Sequence, residues 1–176
     1  MKNSTRKLCR AGVIAALYVA LTYAFMPFAF GPFQIRPAEA LCILPLFFPE
    51  AIPALYIGCM LSNLTSPYLV YDVFIGSLAT LIASLGSYTV GRFIKKDWLR
   101  LLGGGIFPVL CNAFIIPLII VFLCGGSAGY ESVTIAYWSF FASMLLTQSA
   151  WVYALGTPLY YTVRRLRNRN LPFFQT

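Results

Sequence analysis

Leu101-Leu-Gly-Gly-Gly-Ile-Phe-Pro-Val-Leu-Cys-Asn-Ala-Phe-Ile-Ile-Pro-Leu-Ile-Ile-Val-Phe-Leu-Cys-Gly-Gly-Ser-Ala-Gly-Tyr130 contains no charged side chain. A helix crosses the hydrocarbon core of a bilayer with about 20 apolar residues. The stretch is long enough to do so and still leave a Gly-rich loop at its end. Lys95, Lys96, Asp97 and Arg100 precede it, and Glu131 follows. The same pattern recurs outward from it. Residues 11–35, 51–71, 73–91 and 132–163 are also free of charge. Barrel strands would read as short alternating segments, so these long stretches predict an all-α membrane protein.

Composition agrees. Hydrophobic residues make up 60% of the chain and charged residues 10%, whereas a soluble domain is about a quarter charged. The net charge of +8 does not indicate a nucleic-acid partner. Twelve of the thirteen Lys and Arg fall into three groups: Lys2, Arg6, Lys7 and Arg10; Arg92, Lys95, Lys96 and Arg100; Arg164, Arg165, Arg167 and Arg169. Each group sits at the end of an apolar stretch, as cytoplasmic anchors do under the positive-inside rule. Both termini are therefore expected in the cytoplasm. The first apolar stretch runs too long for a cleavable signal peptide and has no A-x-A site.

An even number of spans must separate consecutive basic groups. The expected bundle has about six helices, near 11–30, 38–49, 51–66, 69–92, 101–123 and 134–163, in one domain covering 1–176. The second is short. At about 1.5 Å per residue, 38–49 reaches roughly 18 Å against a core of about 30 Å. Either this helix begins below the outer surface, after an extended outer loop, or two spans and a re-entrant element replace four spans.

Arg36 is the thirteenth basic residue and stands alone, three residues before Glu39. Ionisable groups inside membrane segments are costly and usually pair or face a cavity. Two readings follow: a structural Arg36–Glu39 ion pair, or contact with a ligand. Asn63 and Asp72 lie near the ends of neighbouring spans, each either a helix cap or part of a site. Tyr137 and Trp138 suit an interfacial belt or a site. Gln148 is deep in the last span, where a buried amide needs a partner. Gly12, Ala16 and Ala20, with Ala11 and Ala15 beside them, form a small-residue stripe that lets another helix approach closely. It serves either internal packing or docking of a separate membrane protein.

The chain has no His, and its five cysteines form no CxxC. No metal site, cofactor site or catalytic constellation is expected. Gly103-Gly104-Gly105 lacks the Lys and Ser/Thr of a phosphate loop.

The stretches Phe33-Gln-Ile-Arg-Pro-Ala-Glu-Ala-Leu41, Pro53-Ala-Leu-Tyr-Ile-Gly-Cys-Met-Leu-Ser-Asn63 and Asp72-Val-Phe-Ile-Gly-Ser-Leu-Ala-Thr80 resemble the QueT family. This is a family of substrate-binding S components of energy-coupling factor (ECF) transporters. The resemblance implies a bacterial plasma-membrane protein and a pocket near the outer face. It also implies partnership with a transmembrane T component and two ATPases. The T component would dock on the Ala16 and Ala20 stripe. The implied substrate is a queuosine precursor, a 7-deazaguanine such as 7-aminomethyl-7-deazaguanine or queuine. Glu39 would then accept from the N1–H and amino group of the base. Arg36, Asn63 or Gln148 would donate to O6. Asp72 or Glu131 would meet an aminomethyl cation. Trp138, Tyr137 or Tyr68 would stack on the base, worth about 1–3 kcal/mol. An S component for another vitamin or nucleobase, and a structural membrane protein, remain the alternatives.

Overall fold

A computed structural model describes residues 3–30, 34–125, 129–130 and 132–169. Glu131 and residues 31–33 of the outer loop lie outside them. Among the described residues there is helix and turn but no strand, as the uncharged stretches predict.

The chain begins with α1 (Asn3–Ala24) and the single turn α2 (Met26–Ala29). A 3₁₀ helix, Pro37–Leu46, follows. Then come α3 (Ala51–Asn63), α4 (Leu69–Tyr71), a π-turn (Asp72–Gly76) and α5 (Ser77–Phe93). The last three run on as one rod. α6 (Asp97–Leu118) ends in a second π-turn, Ile119–Leu123. α7 (Val133–Ala154) and α8 (Gly156–Asn168) complete the bundle. By length and composition, Ser4–Ala24, Leu69–Phe93 and Asp97–Leu123 are able to cross a membrane. α7 has 22 residues, but Thr134, Ser139, Ser143, Thr147, Gln148 and Ser149 dilute its apolar character.

Side-chain contacts fix the two ends of the bundle. At one end Arg10 pairs with Glu50 at 3.0 Å and Arg164 with Asp97 at 2.5 Å. Arg100 donates to the Leu46 carbonyl there. The three basic groups thus gather at one end, as their spacing requires. At the other end Arg36 meets Asn63, and Asn63 meets Asp72. The chain passes between these ends in α1, the 3₁₀ helix, α3, α4–α5, α6 and α7–α8.

Two expectations are corrected. The second segment is not an α-helix. It is a 3₁₀ helix, and every residue from Pro37 to Leu46 is buried. A 3₁₀ helix rises about 2.0 Å per residue, so its ten residues reach roughly as far as the longer α-helix expected there. Pro45 lies within it and has no amide hydrogen to give an α-helical ladder. Ile43, Leu44, Leu46 and Phe48 make this segment the centre of the core. Lipid is as apolar as leucine, so close packing rather than water exclusion holds such a core.

The last segment, expected as one helix, is broken at Leu155 between α7 and α8. Pro158 cannot donate to the Ala154 carbonyl, and its ring crowds that group. The chain re-forms as α8, whose Tyr160 ring stacks 4.9 Å from Phe47.

Candidate functional site

Arg36, Asn63 and Asp72 form a buried polar network in an otherwise apolar bundle. Arg36 is 4% exposed, Asn63 1% and Asp72 2%. Pro37 starts the 3₁₀ helix and fixes Arg36 as the residue before it, in the extended conformation that a following proline favours. The Arg36 Nη2 donates to Asn63 Oδ1 at 2.5 Å, and the guanidinium lies 5.2 Å from the Phe30 ring centroid. Asn63, the last residue of α3, donates through Nδ2 to the Asp72 carbonyl at 2.8 Å. Its side chain therefore ties α3 to the π-turn and does not cap its own helix. π-turns inside helices occur frequently at functional sites.

The Asp72 carboxylate accepts from Ser66 Oγ through Oδ2. Ser66 Oγ in turn accepts from the Tyr68 N–H at 3.1 Å. Asp72 Oδ1 is buried and has no protein partner, and neither has Arg36 Nε. A buried polar atom left unpaired costs about 1–3 kcal/mol, so an acceptor and a donor are held open at a stability cost.

Glu39 is satisfied differently. It is 1% exposed. Its Oε1 accepts from the Tyr18 hydroxyl at 2.7 Å and its Oε2 from Cys42 Sγ at 3.4 Å. Arg36 and Glu39 do not meet as an ion pair, because the guanidinium turns to Asn63 and the carboxylate to Tyr18 on α1. The paired reading of these two residues is corrected in that respect. One set of bonds thus joins the start of the 3₁₀ helix to α3 and the π-turn, and another joins the 3₁₀ helix to α1.

Gln34 was not among the residues singled out from sequence. Its backbone has φ +39°, a left-handed conformation uncommon outside glycine. Its side chain is 1% exposed and Oε1 has no partner. Strained, buried, unpaired polar residues cluster at ligand sites. Gln148 shows the same unpaired Oε1 at 1% exposure. It lies on the buried face of α7 with Ala136, Phe140, Met144 and Val152. Tyr18 and Ser66 were also missed, since neither residue type stands out in a membrane helix.

Other candidates are placed elsewhere. Trp138 is 55% exposed and packs edge-on against Tyr137 and Phe141. Tyr137 is half-buried and its hydroxyl donates to the Phe114 carbonyl at 3.3 Å. Both belong to an aromatic cluster with Phe114, Phe122 and Phe141, and neither is hydrogen-bonded to Arg36 or Asp72. The small-residue stripe divides. Gly12, Ala16 and Ala20 are exposed on α1, and nothing lies within 4 Å of a Cβ built on Gly12. Ala11 and Ala15 pack against the core. A Cβ on Gly58 of α3 would come within 3.2 Å of the Ala15 carbonyl, so the inner edge of the stripe is already occupied. Among the described residues no group of His, Cys, Asp and Glu is arranged to hold a metal ion.

A carboxylate oxygen and a guanidinium nitrogen thus lie buried and unpaired at one end of an apolar helical bundle. The chain belongs to the QueT transporter family, whose model matches residues 8–165. That bears out the family expected from the residues. Over 100 residues it is 38% identical to the queuosine precursor transporter QueT of Lactococcus lactis subsp. cremoris (strain MG1363). The aligned part takes in 55% of this chain and 58% of that relative, under two thirds of its length. No solved structure matches.

Proposed function

We propose that this protein is the substrate-capturing membrane subunit of an ECF-type importer for a queuosine precursor, a 7-deazaguanine. In this reading the chain crosses the bacterial plasma membrane six times as one domain, with both termini in the cytoplasm. A T component and two ATPases supply the energy. Membership of the QueT family and the name of the Lactococcus relative support the substrate class.

The observation that carries the reading is the unpaired Asp72 Oδ1 beside a fixed Arg36–Asn63 pair. A guanine edge offers N1–H and an exocyclic amine as parallel donors, and a carboxylate accepts both. Glu39 is already held by Tyr18 and Cys42. Asp72 is therefore the carboxylate assigned to the base, with Arg36 Nε aimed at O6. Gln34 and Gln148 supply further unpaired acceptors for ring N–H or aminomethyl groups. Glu39 positions Tyr18 and the start of the 3₁₀ helix.

Calorimetry of the purified protein with 7-aminomethyl-7-deazaguanine and queuine tests this. Asp72→Asn is expected to weaken binding about a hundredfold, near 2.7 kcal/mol. Glu39→Gln is expected to weaken it less than about tenfold. The reverse order would return the base to Glu39. Absence of binding to any 7-deazaguanine would remove the substrate class. Recovery of a T component and ATPases with the tagged protein tests the ECF assignment separately.

A further inference from the structure

Where the 3₁₀ helix ends, α5, α6 and α8 leave a cleft of about 330 Å³. Arg92, Arg100 and Arg167 line it, and Leu46, Phe47 and Pro49 contribute apolar surface. The three arginines come from separate segments of the chain. Among the described lining residues there is no carboxylate. Two acidic side chains described at this end pair with other groups. Glu50 pairs with Arg10, and Asp97 with Arg164 and the Tyr160 hydroxyl.

The cleft is held in shape. Arg100 donates through Nη2 to the Leu46 carbonyl, and its guanidinium lies 5.0 Å from the Phe47 ring centroid. Its Nε is buried without a partner. Gly91 sits so near the 3₁₀ helix that an added Cβ would fall 2.7 Å from the Leu46 Cα. Arg92, next in the chain, lines the same cleft as Arg100. Phe93 is 79% exposed and Trp98 59% exposed, and both flank these arginines in sequence. Trp side chains such as Trp98 are enriched at the headgroup level of a bilayer.

We propose that this cleft binds a phosphate group, that of an anionic phospholipid headgroup in the leaflet at the basic end. Guanidinium groups take phosphate oxygens through paired N–H donors. Basic pockets between membrane helices on the cytoplasmic side are suited to anionic headgroups. The aromatic flank favours a lipid over a free anion, because a soluble phosphate gains nothing from Phe93 and Trp98. The site lies at the opposite end of the bundle from Asp72 and does not depend on the identity of the transported solute.

The test uses the full chain purified in a mild, uncharged detergent. Thermal unfolding is followed with added phosphatidylglycerol, phosphatidylcholine or inorganic phosphate, and retained lipid is weighed by native mass spectrometry. Phosphatidylglycerol is expected to raise Tm by roughly 2–4 °C and to be retained over phosphatidylcholine. Arg92→Gln and Arg167→Gln are each expected to weaken that effect about tenfold in lipid concentration. Arg92 is exposed, so its replacement leaves the fold intact. Equal shifts with the two lipids, or an undiminished shift in both variants, would overturn the proposal. A full shift with inorganic phosphate alone would overturn the lipid source. An unchanged lipid shift with loss of copurifying subunits in Arg92→Gln would assign the cleft to a protein neighbour and overturn it likewise.

Discussion

The two ends of this bundle treat charge in opposite ways. At the basic end, acids and bases meet directly. Arg10 and Glu50 pair at 3.0 Å with both side chains largely buried, and Arg164 pairs with Asp97 in a more open position. At the other end Arg36, Glu39 and Asp72 are just as deeply buried, yet none pairs with another. Arg36 uses an amide, Glu39 a phenol and a thiol, and Asp72 a serine. Charges held by neutral partners, with one oxygen and one nitrogen left open, keep capacity for something not yet bound. The basic end holds charges against each other, and the opposite end holds them against neutral groups.

Four substitutions separate the two ends, in falling order of effect. Glu50→Gln removes the carboxylate that pairs with the buried Arg10. Breaking a buried pair in this way costs about 3–5 kcal/mol, read as a large fall in Tm with ligand affinity unchanged in the folded fraction. Asp72→Asn should move the other way in the ligand-free protein. It removes an unsatisfied buried charge, so Tm is held or rises by about 1 kcal/mol equivalent while ligand affinity collapses. A fall in Tm as large as that of Glu50→Gln would erase the distinction between the two ends.

Tyr18→Phe removes the hydroxyl that serves Glu39 and leaves a buried acceptor, costing about 1–3 kcal/mol in stability. Its ligand affinity should fall less than that of Asp72→Asn, because Tyr18 acts through Glu39. Arg164→Gln is the mildest. Its pair is partly open to solvent (43% and 31% side-chain exposure), and such pairs contribute about 0–1 kcal/mol. The small loss should shrink further as salt is raised.

Much of the end opposite the basic groups was legible in the sequence. Arg36, Glu39, Asn63 and Asp72 stood out because charge and amide are rare inside apolar stretches, and all four are buried together at one end. The roles within that set were not legible. Glu39 and Asp72 are both isolated carboxylates on paper. Only Tyr18 and Cys42 on one, and a single serine on the other, tell them apart. Gln34 carried one faint signal, its place beside Arg36 in the quoted segment. Its strained backbone is invisible in composition. Tyr137 and Trp138 were ambiguous for a physical reason. An aromatic ring suits a lipid-facing belt and a stacking site equally well, and on α7 Trp138 is exposed while Tyr137 is half-buried.

The fold divides in the same way. Long uncharged stretches with basic residues at their ends determined the helical class, the segment order and the shared end of the three basic groups. Those follow from the cost of putting charge or unpaired backbone into lipid, a cost that acts on every residue locally. The 3₁₀ form of Pro37–Leu46 and the separate partners of Glu39 and Asp72 were decided by tertiary structure. Each depends on which neighbours close in around a segment. At the centre of the bundle a short stretch must span the distance between Asn63 and Glu50, and the tighter, longer-rising helix does so while burying every one of its residues.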